Sequence, residues 1–115
     1  MSLLNNGIEI GITTQMATKN EKKRFNKIAE LGCILCSEVY GFEGTPSELH
    51  HVRRYGNVRS ASPVLALCPE HHRNGDDSFH RLGINAWEDK HGITAQRLLE
   101  LQNQRLGKEF KQKID

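Results

Sequence analysis

Two spaced pairs, Cys33-x-x-Cys36 and Cys68-x-x-His71, set the terms on which this chain can fold. At 115 residues, with 37% apolar residues and a mean hydropathy of −0.61, it can build only a thin hydrophobic core. A structural metal compensates for such a shortage. Zn²⁺ in structural sites takes four tetrahedral sulfur or imidazole ligands. The two pairs supply that set, each with the spacing of a knuckle whose turn brings both side chains to one ion. Three small buried apolar cysteines are the plainer reading, but it leaves the coincidence of two paired spacings unexplained. The gap between the pairs is longer than in a simple zinc ribbon, so a β-hairpin is expected there. Three cysteines beside histidines do not make a secreted disulfide framework and favour metal binding in a reducing compartment. No apolar run approaches membrane-spanning length and no secretory signal is visible, so the expected location is cytoplasmic.

The length fits a single α+β domain, expected over residues 18–107. Residues 1–17 are polar with an Ile8, Ile10, Ile12 alternation; they read as a short strand, a flexible segment or a leader, with Met16-Ala17 as a candidate natural start. Thr18-Lys19-Asn20-Glu21 is a capping box, and Phe25, Ile28 and Ala29 follow at helical spacing until Gly32 ends the helix. Residues 48–52 and 64–67 read as short strands, joined by an arginine-rich connection with a Gly56-Asn57 turn. Pro69 suits the first turn of a helix carrying His71 and His72. Residues 74–77 interrupt that helix and Ser78 caps its resumption through His80. A helix over 85–90 contains Trp87, and Thr94 caps a last helix with Leu98, Leu101 and Leu106 on or near one face. The charged stretch 108–115 reads as a frayed tail.

Five of the six histidines fall between His50 and His80. Neighbours on a strand face opposite ways, and neighbours on a helix diverge by about 100°. If His71 closes the zinc site, His72 is therefore turned away and available to a second metal. Of His50 and His51, one can ligate that metal while the other stands beside it as a base. His80 completes the set if the 74–77 loop folds back. Ordinary surface histidines are the bland alternative. Arg53, Arg54, Arg59, Arg73 and Arg81 lie among these histidines, so basic charge is concentrated there although the net charge is only +2. These are the parts of a phosphodiesterase: metal ligands, a neutral imidazole to take a proton from water, and arginines for flanking phosphates.

Leu49-His50-His51-Val52, a basic glycine-containing loop and Leu67-Cys68-Pro69-Glu70-His71-His72-Arg73 resemble an HNH endonuclease. The upstream Gly-Cys-x-x-Cys, Arg59-Ser60-Ala61-Ser62 and the late Ser78-Phe79-His80 resemble phage recombination-enhancement (Ref-type) nucleases more closely. The resemblance runs from about Gly32 to Gly92. It implies a ββα-metal core with a structural zinc knuckle and flanking helices, and a metal-dependent DNA endonuclease leaving 5′-phosphate and 3′-hydroxyl ends. It makes His50, His72 and His80 ligands of a catalytic divalent cation, His51 the general base, and a recombinase filament a partner. Three imidazoles suit Zn²⁺, Ni²⁺ or Mn²⁺; Mg²⁺ prefers oxygen, which water and phosphate would supply. The pattern departs from the family where Ser62-Pro63 replaces an asparagine that helps orient the base; Asn57 is out of register for that role. The rival reading is a non-catalytic, zinc-stabilised nucleic-acid-binding module, in which His51 has no role.

Trp87 and Phe79 are expected in the core. His91, Glu70 and the Asp76-Asp77 pair are expected to be a helix-end charge, a helix-start acid and a polar loop. Lys22, Lys23 and Arg24 read as a solvated helix face.

Overall fold

The computed structural model describes residues 18–53 and 62–114. The Ile8–Ile12 alternation, the Gly56-Asn57 turn, Arg54 and Arg59 lie outside the described residues.

The capping box forms as its residues require. Thr18 Oγ1 accepts from the Glu21 amide at 3.1 Å, and the Glu21 carboxylate accepts from the Thr18 amide at 2.8 Å. This starts α1 (Lys19–Glu30), which closes through Leu31 onto Gly32 at φ +80°. A side chain at Gly32 would also meet the Thr45 carbonyl at 3.0 Å, the same carbonyl that accepts from the Cys33 amide. Cys33 is thus delivered straight from the helix end, and Cys36 opens a π-turn (Cys36–Tyr40).

Strands β1 (Glu48–His51) and β2 (Val64–Leu67) pair antiparallel, with Glu48 opposite Leu67, Leu49 opposite Ala66, His50 opposite Leu65 and His51 opposite Val64. Every residue of β2 is buried, because both faces of the hairpin are covered. Val64 and Ala66 pack with Ile28 and Leu106, flanked by Phe25 and Leu49. Leu65 and Leu67 face a larger cluster containing Cys33, Cys68, Trp87, Ala95, Leu98 and Leu99. Period-two alternation therefore places Glu48, His50 and Val52 on the second face and Leu49 and His51 on the first. After β2, Pro69 leads into a second π-turn (Glu70–Asn74), followed by α2 (Phe79–Leu82), α3 (Ile84–His91) and α4 (Ala95–Gln104). Ser78 caps α2 and Thr94 caps α4, each accepting an amide three residues ahead.

Two expectations change. The core face of α4 is Ala95, Leu98, Leu99 and Gln102, with Leu101 only half-buried. The stretch after Gly107 is not frayed up to residue 114. A 3₁₀ turn (Lys108–Phe110) leads to Gln112, whose side-chain oxygen accepts from the Val64 amide at 2.7 Å and whose side-chain nitrogen donates to the Val64 carbonyl at 2.8 Å. Gln102 treats the same strand edge alike, accepting from Ala66 N at 2.9 Å and donating to Val64 O at 2.8 Å. Two glutamine amides thus substitute for a third strand and leave no bare edge at these positions.

Candidate metal centres and catalytic cleft

The second π-turn carries adjacent residues of two donor sets. Gly75 closes it by donating to the Glu70 carbonyl at 3.2 Å, and a Cβ there would lie 2.8 Å from that oxygen. Only glycine fits this approach without moving the turn.

On one side, Cys33, Cys36, Cys68 and His71 bring one ligand atom each to within 4.8 Å of all the others. His71 Nδ1 lies 3.3, 3.6 and 3.9 Å from Cys68, Cys36 and Cys33 Sγ, and Cys36 Sγ lies 3.9 Å from Cys68 Sγ. Tetrahedral zinc, with bonds of about 2.3 Å to sulfur and about 2.0 Å to nitrogen, sets such ligands roughly 3.5–3.8 Å apart. The sulfur separation is far beyond a disulfide bond of about 2.05 Å. The Cys36 amide donates to Cys33 Sγ at 3.4 Å, a bond that favours the thiolate. Burial, helped by the neighbouring thiols, pushes all three thiols up, and a bound cation would reverse that. The four residues therefore fit the zinc the spacing predicts.

His71 itself is held on three sides. Tyr40 stacks on its ring with centroids 5.7 Å apart, His91 meets it edge-on at 5.2 Å, and Trp87 Nε1 donates to its carbonyl at 3.1 Å. His91 is buried, in the last turn of α3. Its Nε2–H donates to the Asp77 carbonyl at 3.0 Å, and its Nδ1 lies 2.7 Å from the Tyr40 hydroxyl.

On the other side of the turn, His50, His72 and His80 bring one ring nitrogen each to within 4.8 Å of the others. His50 Nε2 is buried with no hydrogen-bond partner among the described residues, which is costly for a polar atom unless something else engages it. Burial, reinforced by His72, His80 and His51, pushes the His50 pKa down to about 3, so its ring is neutral. Burial also lowers the His72 pKa, against the opposing pull of Glu48. Imidazoles whose ring nitrogens converge on one point are what a divalent cation requires. The three residues fit one.

These rings open onto a cleft of about 500 Å³, lined by Leu49, His50, His51, Arg53, His72, Phe79 and His80. His51 reaches it from the α1 face of the hairpin, with Phe25 edge-on at 6.2 Å. His50, from the opposite face, packs on Phe79 at 4.1 Å.

The family model for recombination enhancement, RecA-dependent nucleases matches residues 17–95. The chain belongs to this family. No curated protein and no solved structure matches it. The matched span holds both donor sets and the cleft. The family's description suggests DNA and RecA-related partners. No helix among the described residues is long and apolar enough to cross a membrane.

Of the arginines singled out in this family member, Arg53 lines the cleft. Arg73 is instead engaged by Glu48, through Nε at 2.5 Å and the second guanidinium nitrogen at 2.9 Å. Arg81 is exposed, 3.8 Å from Asp76. Glu48 also accepts from His72 Nδ1 at 2.7 Å. The Arg73 bonds, ahead of the His72 bond, hold the Glu48 carboxyl down at about 2. Sequence reasoning missed Glu48, although a carboxylate two residues before His50 on a strand must share its face. It also missed Tyr40, for which a π-turn gives no periodic signal.

Proposed function

We propose that this protein is an HNH-type, metal-dependent endonuclease that hydrolyses DNA phosphodiester bonds in RecA-dependent recombination. The observation that carries the proposal is the cleft, in which His51 stands beside a three-imidazole donor set with Arg53 at its wall. A zinc-stabilised binding module has no use for three converging imidazoles, one with a buried nitrogen that no described residue engages.

In this reading Cys33, Cys36, Cys68 and His71 hold a structural zinc that fixes the second π-turn. His50, His72 and His80 hold the catalytic cation. That cation, when bound, supplies positive charge for the scissile phosphate and the leaving oxygen. His51 takes a proton from the water whose oxygen attacks phosphorus, the P–O3′ bond breaks, and the departing 3′ oxygen takes a proton from solvent water, leaving 5′-phosphate and 3′-hydroxyl ends. Arg53 binds a neighbouring phosphate and keeps the strand in line with the attack. Burial of His50 against Phe79 keeps that ring neutral and fixed in place.

The test is cleavage of DNA in RecA filaments with Mg²⁺ or Mn²⁺ present, for wild type and His51→Ala. Metal-dependent cutting by the wild type and its loss in the variant are expected. A wild type that binds DNA, carries both metals and cuts nothing would return the protein to the binding-module reading.

A further inference from the structure

We infer that Glu48 is a positioning residue for the three-imidazole site, holding His72 so that its Nε2 is presented to a divalent cation. The inference rests on the reading that His50, His72 and His80 hold such a cation.

An ionised carboxylate only accepts hydrogen bonds, so the 2.7 Å contact makes His72 Nδ1 the protonated nitrogen. The lone pair then lies on Nε2, the ring's other corner. Arg73, the next residue on the turn, grips the same carboxylate through two nitrogens and prevents it from rotating away. Glu48 and His50 share one face of β1, so a single strand provides a ligand and the group that orients another. The contact joins β1 to the second π-turn, the two elements on which the donor set depends. A purely structural strand-to-turn ion pair is the competing account. Arg73 is about half exposed, however, and an exposed pair contributes little stability. That account also gives the imidazole no reason to take part. A carboxylate behind a ligating imidazole fixes its tautomer and raises its basicity.

The experiment uses full-length protein carrying its structural zinc. Free Mn²⁺ is followed by its paramagnetic resonance signal during titration, and the His72 tautomer is read from ¹⁵N shifts. Wild type, His72→Ala, Glu48→Ala and Glu48→Gln are compared. Wild type is expected to bind Mn²⁺ and His72→Ala to lose it. Glu48→Ala should weaken binding by on the order of 10–100-fold and release His72 from the Nδ1–H tautomer. Glu48→Gln keeps an oxygen for Nδ1 without the charge, so it should keep the tautomer while losing part of the affinity. It also serves as the deciding variant if Glu48→Ala does not fold, and wild-type affinity in it would then overturn the inference. If Glu48→Ala folds and binds Mn²⁺ as tightly as wild type, the inference fails while the metal site stands. If wild type and His72→Ala both fail to bind, the metal reading and this inference fall together.

Discussion

Trp87 donates its indole N–H to the carbonyl of His71 at 3.1 Å, from a ring that is fully buried. One hydrogen bond thus joins the centre of the larger core to the turn that serves both donor sets. The same ring packs on Phe79 at 4.9 Å and on His91 at 5.0 Å. Phe79 touches His50 and His91 touches His71, so one tryptophan braces a residue of each set.

Trp87→Phe keeps most of the apolar ring but leaves the His71 carbonyl without its donor. An acceptor stranded in this way costs about 1–3 kcal/mol. Urea unfolding should show that loss with zinc still bound. Unchanged stability would mean that water or a shifted neighbour replaces the indole.

Cys36→Ala removes one corner of the Cys33, Cys36, Cys68, His71 tetrahedron. Zinc-binding energy in so small a core is folding energy. Loss of zinc together with unfolding or aggregation is expected, read by metal analysis and circular dichroism. A variant with full zinc content and full thermal stability would remove the structural-zinc assignment.

In the proposed mechanism the opposite facing of His50 and His51 separates ligand from base. His51→Ala should keep both metals and nearly all DNA affinity while cleavage falls by roughly 10²–10⁴-fold, the usual worth of a positioned base. His72→Ala should lose the second metal and keep the zinc. Metal counting beside a cleavage assay checks both. A His51→Ala protein that loses a metal yet cuts at the wild-type rate in excess metal would reverse the roles.

Arg53→Ala should weaken DNA binding and flatten its salt dependence. Each lost phosphate contact reduces the slope of log K against log salt by about 0.9 on duplex DNA. Binding measured from low to moderate salt provides the slope, and an unchanged value would show that Arg53 does not hold the backbone.

Much of this protein was legible in its residues. The Thr18 capping box, β2 over Val64–Leu67 and the C-x-x-C with C-x-x-H pairs are local signals, and local geometry honours them. The separation of His71 from His72 was legible too, because adjacent residues on a turn cannot point the same way. What only the tertiary structure decided is partnership across distance. Glu48 and Arg73 are 25 residues apart in sequence, and nothing local to either points to the other. Their union with His72 exists because the hairpin sets β1 against the second π-turn. Gln102 and Gln112 look equally like surface polar residues until the edge of β2 needs their amides. His91 became an internal residue because Tyr40 and the Asp77 carbonyl, brought in from two other segments, meet both of its nitrogens. Apolar periodicity reports which face of an element is buried. A polar side chain carries no such pattern, and its role is set by whichever donor or acceptor the fold leaves in front of it.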